Sequence, residues 1–172
     1  MTAQTGRTVS KWCKFQIDDS AGTLRDLPIN TINGVGLTFD EVDLTAFQDA
    51  VKGALQGQPD FTSTIGGPLD TSAAQAASAS GAAAALSGSH TVLSALMAAA
   101  AAGTDSPLAF GFYVGIRHYW ETGEPAFGIT GTTTNGMRIF EYTIDPSAMT
   151  YSAKFRMNPG SAIPAWGTAA YT

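Results

Sequence analysis

His90, His118, Cys13, the acidic pairs Asp18-Asp19 and Asp40-Glu41, and the run Gly34-Val35-Gly36-Leu37-Thr38-Phe39 are where chemistry could begin in this sequence. A histidine acts as a general base only beside a group whose proton it can take. His90 precedes a run of small apolar residues and His118 lies within Arg117-His118-Tyr119-Trp120, neither near a nucleophile motif, so both read as structural. Paired carboxylates suit glycoside hydrolysis when they converge on one bond, but neighbours on a strand point to opposite faces. Asp18-Asp19 and Asp40-Glu41 therefore read as a solvated loop or rim. The Gly34 run lacks the third glycine and the βαβ frame of a dinucleotide loop, which leaves a turn and a strand. A phosphate-cradling Gly-Lys-Ser/Thr loop and a Gly-x-Ser-x-Gly elbow are both missing, and the hydroxyls of Thr130 to Thr134 imply no cofactor. One cysteine forms no internal disulfide, and with two histidines it cannot complete a four-ligand zinc site. The expectation is a non-enzymatic protein without metal or cofactor.

The elements that would position these residues are mostly strands. From Lys11 to about Gly66 apolar residues alternate: Cys13, Phe15 and Ile17, then Val35, Leu37 and Phe39, then Val42 and Leu44. Asn33-Gly34 between them is a hairpin signal. Phe47, Val51 and Leu55 recur at four-residue spacing, which fits one or two helical turns or a structured loop. Residues 72–81 are Ala/Ser-rich and low in complexity, the profile of a linker or surface excursion. One helix is predicted from about His90 to Ala102, with Ser89 as N-cap, Val92, Leu93, Leu96 and Met97 on one face, and Gly103 just past its end. Four strands are expected after it, at Leu108 to Tyr119, Gly128 to Thr134, Met137 to Tyr142 and Thr150 to Met157. The tail from Pro159 to Gly167 holds too many breakers for a strand interior, yet Trp166 should dock somewhere.

Composition narrows the function classes. The length suits one domain over residues 1–172, with the Ala/Ser insert at about 71–87 and a C-terminal arm at about 158–172. Net charge is −5 and no basic cluster exists to grip phosphates. The N-terminus lacks the apolar core of a signal peptide, and the stretch Ala73 to Ala102 is too polar and interrupted to span a bilayer, so no membrane association is expected. Charged residues make up only 13% of the chain, against about 25% in ordinary soluble proteins. Surfaces buried against neighbours avoid charge because an unpaired buried charge is costly, so this scarcity suits an assembly.

The order of parts resembles a known family. The acidic strand Asp40-Glu41-Val42-Asp43-Leu44-Thr45, the loop around Phe47-Gln48-Asp49, the helix with Thr91-Val92-Leu93-Ser94-Ala95-Leu96, and the tail Ile163-Pro164-Ala165-Trp166-Gly167-Thr168 look like the major tail (tail tube) protein of long, non-contractile-tailed bacteriophages. The resemblance implies a mainly β fold, an antiparallel β-sandwich of tail-tube type with one flanking helix. It also implies hexameric rings stacked into a virion tail tube, assembled in the host bacterial cytoplasm, through which double-stranded DNA leaves. Partners implied are further copies of the chain and the tape measure, tail terminator and distal tail proteins. Six subunits giving about four strands each would close a barrel with a backbone diameter of roughly 45 Å, leaving around 30 Å inside the side chains.

The same resemblance nominates sites. Phe47, Gln48, Asp49, Val51 and Leu55 are candidate inter-ring contacts; Ile163, Pro164 and Trp166 are a candidate inter-subunit arm; Asp18, Asp40, Glu41 and Asp43 are candidate lumen-facing acids. Two alternatives stand beside this reading. One is another small β virion component, such as a capsid decoration or tail terminator protein. The other is a β-sandwich module binding carbohydrate or peptide through exposed Tyr113, Tyr119 and Trp120.

Overall fold

A computed structural model describes residues 12–43, 54–73, 85–115 and 120–171. Among them one helix and twelve strands occur. The first six strands are β1 (Cys13–Asp18), β2 (Leu24–Leu27), β3 (Thr31–Asn33), β4 (Thr38–Asp43), β5 (Ala54–Asp60) and β6 (Thr62–Pro68). A two-residue strand β7 (Ala85–Leu86) leads into helix α1 (Ser89–Ala102). After the helix come β8 (Phe110–Val114), β9 (Ala126–Ile129), β10 (Met137–Asp145), β11 (Thr150–Met157) and β12 (Ala165–Gly167).

The strands make a six-stranded sheet ordered β12-β9-β8-β1-β2-β7, a four-stranded sheet ordered β10-β11-β6-β3, and a two-stranded ribbon, β4-β5. Among the described strand pairs, β2-β7 alone is parallel. The mainly β fold with one flanking helix matches the sequence expectation. Alternation makes the core: Phe15, Ile17, Phe110 and Phe127 project from the larger sheet toward Ile65, Tyr151, Ala153 and Phe155 of the smaller one. Phe15, Phe61, Phe110 and Phe127 interlock with ring centroids 5.4 to 6.2 Å apart. Truncating one such ring to alanine costs about 3 to 5 kcal/mol in a packed core.

Val92, Leu93 and Leu96 of α1 are buried in this core and Met97 packs against it, as the spacing required. Gly103 ends the helix at φ 67°, its N–H bonding back to Ala100. The N-terminus differs from expectation. Gly88 is the N-cap, because a side chain there would meet the backbone of Asp70 and Ser72 at 2.6 Å. Ser89 is the first helical residue; its hydroxyl donates to Pro68 O at 3.0 Å and accepts from the Asp70 N–H at 3.1 Å, tying the helix to the end of β6.

Three other expectations are corrected. Asn33-Gly34 is not a hairpin tip, since β3 pairs with β6 and β4 with β5; it carries the chain from the sheet to the ribbon. Thr130 to Thr134 lie beyond the end of β9, and Thr132 Oγ1 accepts the N–H groups of Thr134 and Asn135 in a turn. The breaker-rich tail does hold a strand, because β12 is only three residues long and sits at the edge of its sheet.

Candidate assembly surfaces

Among the described residues, the ribbon contributes no side chain to the core. All six residues of β4 are exposed, and of β5 only Gly57 and Pro59 are half-buried. An isolated two-stranded ribbon is marginal in water without a packed face. Here Val42 and Leu55 stand directly opposite each other, 48% and 56% exposed, with Phe39 (41%) paired to Pro59 on the other face. The register slips between Phe39 and Glu41, so that Gly57 and Gln58 bulge opposite Asp40. Leu55 is thus a strand residue and not part of a helical turn. Phe47, Gln48, Asp49 and Val51 fall in 44–53, outside the described residues.

The candidate lumen acids divide. Asp40, Glu41 and Asp43 share the exposed strand β4. Asp18 is far from them in the topology, at the end of β1 in the six-stranded sheet. It is half-buried, and its carboxylate accepts the Ala109 N–H at 2.8 Å; burial pushes its pKa up from the ordinary value. Asp19 closes the following turn. Burial pulls its carboxyl upward, but hydrogen bonds from the Thr23 N–H, the Arg25 guanidinium and the Ala21 N–H outweigh that and hold it low. These two are therefore turn-fastening groups. Asp18 is bonded to the start of β8 and Asp19 to β2, more fixed than a solvated rim requires.

The C-terminal arm lies on its own subunit. Trp166 pairs with Phe127 across the β12-β9 edge, rings 5.2 Å apart, yet stays 57% exposed. Pro164 is fully buried and Ile163 is 44% exposed. Farther on, Tyr171 covers Gly128, where a Cβ would meet its ring at 2.8 Å, and its hydroxyl donates to Ala165 O at 2.6 Å. Tyr113 lies over Gly111 and its hydroxyl accepts the Tyr171 N–H at 3.0 Å. Trp120 stacks edge-on against Tyr113 at 4.6 Å, and Lys14 Nζ sits over both rings at 4.9 and 5.5 Å. Tyr113 is completely buried, so the exposed aromatic row of a carbohydrate-binding face is not formed; Tyr119 lies outside the described residues.

Removing residues 165–172 is accordingly expected to lower the denaturant midpoint of the unassembled subunit. An unchanged midpoint would mean that the arm adds nothing to its own domain. A second consequence concerns alkali. Burial raises the Tyr113 phenol from 10.0 to about 12 and raises Tyr151 as well. The unfolded chain ionises these phenols near pH 10 while the folded one does not, so stability is intact below pH 10 and falls as pH climbs toward 12. Tyr113→Phe should make that fall shallower in pH-dependent urea melts; an unaltered slope would refute the assignment.

Sequence reasoning missed the outer side of the β10-β11 hairpin. A register shift between Ile139 and Glu141 turns Phe140 out of the core, leaving it 58% exposed with the Arg156 guanidinium 5.9 Å from its ring centroid. Adjacent Ile139 and Phe140 were the available signal, since strict alternation would bury only one. His90 is half-buried and bonds through Nδ1 to the Tyr142 hydroxyl at 2.8 Å, a link between α1 and β10; His118 is outside the described residues. Among the described residues no three His, Cys, Asp or Glu gather as a metal site, and no helix is long and apolar enough to cross a membrane.

No protein-family model matches the sequence, and no curated protein matches it significantly. Solved structures do share the fold across the whole chain. A chain of the sheath-tube complex of an extracellular contractile injection system (PVC, extended state) aligns with TM-score 0.54 at 6% identity, covering 95% of this chain and 93% of that one. The tube-terminating cap of the anti-feeding prophage (AFP) aligns at 0.54 and 8% identity, over 98% and 96%. A chain of the PVC sheath/tube terminator complex aligns at 0.55 and 7% identity, over 96% and 99%.

Proposed function

We propose that this chain is a structural subunit of a phage-type tail tube, polymerising as stacked six-membered rings that form a conduit for double-stranded DNA. The observation that carries the proposal is the β4-β5 ribbon, exposed on both faces and studded with Phe39, Val42 and Leu55. Such an element needs a partner surface to be stable, and contact with a subunit of the next ring supplies one. The fold shared with chains from tube-bearing and tube-capping complexes supports the same reading. So does the charge fraction of 13%, which fits surfaces covered by neighbours.

Ring closure has a natural geometry. The four-stranded sheet ends in β10 on one side and β3 on the other. In a head-to-tail ring the β10 edge of one subunit meets the β3 edge of the next, which joins the sheets into one barrel and covers β3 and part of β10. Partners in this reading are further copies of the chain, a tape measure protein inside, and terminator and distal tail proteins at the ends. The location is the virion tail, after assembly in the host cytoplasm, and the role is non-enzymatic.

A second reading is a terminator or cap that forms one ring only. It is favoured by the likeness to the prophage cap and the PVC terminator complex. Electron microscopy of purified protein, alone and seeded with tail tips, separates the two. Extended tubes of stacked rings are expected; single rings that never stack would establish the terminator, and a monomer under both conditions would refute the tube.

A further inference from the structure

Among the described residues two buried side-chain atoms have no hydrogen-bond partner, Asp26 Oδ1 and Ser87 Oγ. They come from neighbouring strands. Asp26 lies on β2, where it pairs with Leu86 of β7, and Ser87 follows Leu86. Ser87 is 5% exposed. Gln16, opposite Asp26 on β1 and itself 3% exposed, bonds to the Asp26 carboxylate, so the orphaned oxygen belongs to a group already fastened on one side. A polar atom cut off from water without a partner is costly, and native structures keep few of them.

Both residues line one cavity of about 430 Å³, together with Leu27, Pro28, Ile29 and Asp70. That is far more room than one or two bridging waters need. Its charge is unbalanced. Asp26 makes no ion pair among the described residues, and Lys14, also in the cavity wall, holds its Nζ over the Tyr113 and Trp120 rings at 4.9 and 5.5 Å. Asp70 Oδ1 accepts the Ser72 hydroxyl at 2.6 Å and the Ser72 N–H at 2.8 Å, bonds that hold its carboxyl below the ordinary value and keep it ionised. Two carboxylates facing one cavity call for a cation. A metal ion fits poorly, because among the described residues no three His, Cys, Asp or Glu gather to hold one. Leu27, Pro28 and Ile29 give the cavity an apolar wall, which suits a cation on a hydrocarbon stem.

We propose that this cavity binds a small aliphatic diamine, one ammonium bonded to Asp26 and Ser87, the other to Asp70, and the hydrocarbon chain against Leu27, Pro28 and Ile29. An ammonium carries three donors and no acceptor, so one such group satisfies Asp26 Oδ1 and Ser87 Oγ together. Rotation of the Asp26 carboxylate about χ2, a broad torsion, presents the oxygen to the cavity. The second ammonium meets the Asp70 carboxylate, whose Oδ1 alone is engaged by Ser72. This site stands apart from the ribbon and from the tube reading.

Isothermal titration of the full-length protein with putrescine tests it, with butylamine and magnesium as comparisons. Putrescine should bind saturably, once per chain, and more tightly than butylamine, and magnesium should not displace it. Asp26→Asn should weaken both amines by roughly tenfold or more, the size of a lost charge-assisted hydrogen bond. Asp70→Asn, at a residue outside the core, should bring putrescine down to the level of butylamine and leave butylamine unchanged, which keeps the test decisive if the Asp26 variant fails to fold. Absence of saturable binding to the wild type, equal affinity for the two amines, or displacement by magnesium would each overturn the assignment. So would putrescine binding that survives Asp70→Asn or a folded Asp26→Asn undiminished. None of these results touches the tube reading, which polymerisation decides.

Discussion

Val42→Asp combined with Leu55→Asp should give a folded subunit that no longer polymerises. The two side chains face each other across the ribbon and are 48% and 56% exposed, so neither contributes to the subunit's core. Placing two like charges opposite each other on a strand pair costs a few tenths of a kcal/mol to about 1 kcal/mol, which the main core tolerates. Buried against a neighbouring copy, the same carboxylates would be unpaired charges, each costing several kcal/mol. Because every subunit of every ring carries the pair, the penalty multiplies with assembly size. The measurement is seeded polymerisation followed by light scattering and electron microscopy, with circular dichroism confirming the fold. Tubes at wild-type rate would exclude the ribbon as a ring contact. Loss of the fold would show that the ribbon supports the subunit itself.

Gly34→Ala is expected to be the most damaging glycine-to-alanine change among the described residues. Gly34 has φ +82°, a region that L side chains rarely enter, and a Cβ there would stand 2.0 Å from the backbone carbonyl oxygen of Thr62. The obstacle is backbone of β6, which is locked between β3 and β11, so it cannot swing aside as a flexible side chain would. Backbone strain alone costs about 1 to 2 kcal/mol, and displacing a core strand adds to it, so a loss of roughly 3 kcal/mol or more is anticipated. Gly22→Ala is the matched control. Gly22 has φ +74° with nothing within 4 Å of the added methyl, so it isolates the conformational penalty. Chemical denaturation of the two variants should show Gly34→Ala destabilised well beyond Gly22→Ala. Equal losses would mean that the β3-β4 connection relaxes freely.

Much of this architecture is written locally. The apolar spacing of Val92, Leu93, Leu96 and Met97 with Gly103 beyond them specifies α1, since a 3.6-residue period and a glycine stop are properties of the segment alone. Strand β11 and the alternation of Phe15 and Ile17 are legible for the same reason, with a period of two. The lack of nucleophile, metal and phosphate motifs and the low charge are matters of composition. Where reading along the chain misled, the cause was a partner distant in sequence. Asn33-Gly34 looked like a hairpin until β3 and β4 were seen to choose different sheets, and Ser89 looked like a cap until Pro68 and Asp70 were found beside its hydroxyl.

The candidate sites show the division most sharply. Residue types named Asp18 and Asp40 alike as acids for a channel wall, but only the tertiary fold bonds Asp18 to Ala109 and leaves Asp40 on an exposed ribbon. The tail named Trp166 as a docking residue, and only packing shows that Phe127 of β9 lies against it within the same subunit. Sequence by itself determined the helix, the longer alternating strands, the poverty of charge and the lack of catalytic motifs, because each depends on residue identity and short-range spacing. Which face of each strand meets water, which edge stays open and which acid is buried were decided only by the tertiary structure. In a strand a one-residue change of register exchanges the two faces, and register is set by partners tens of residues away.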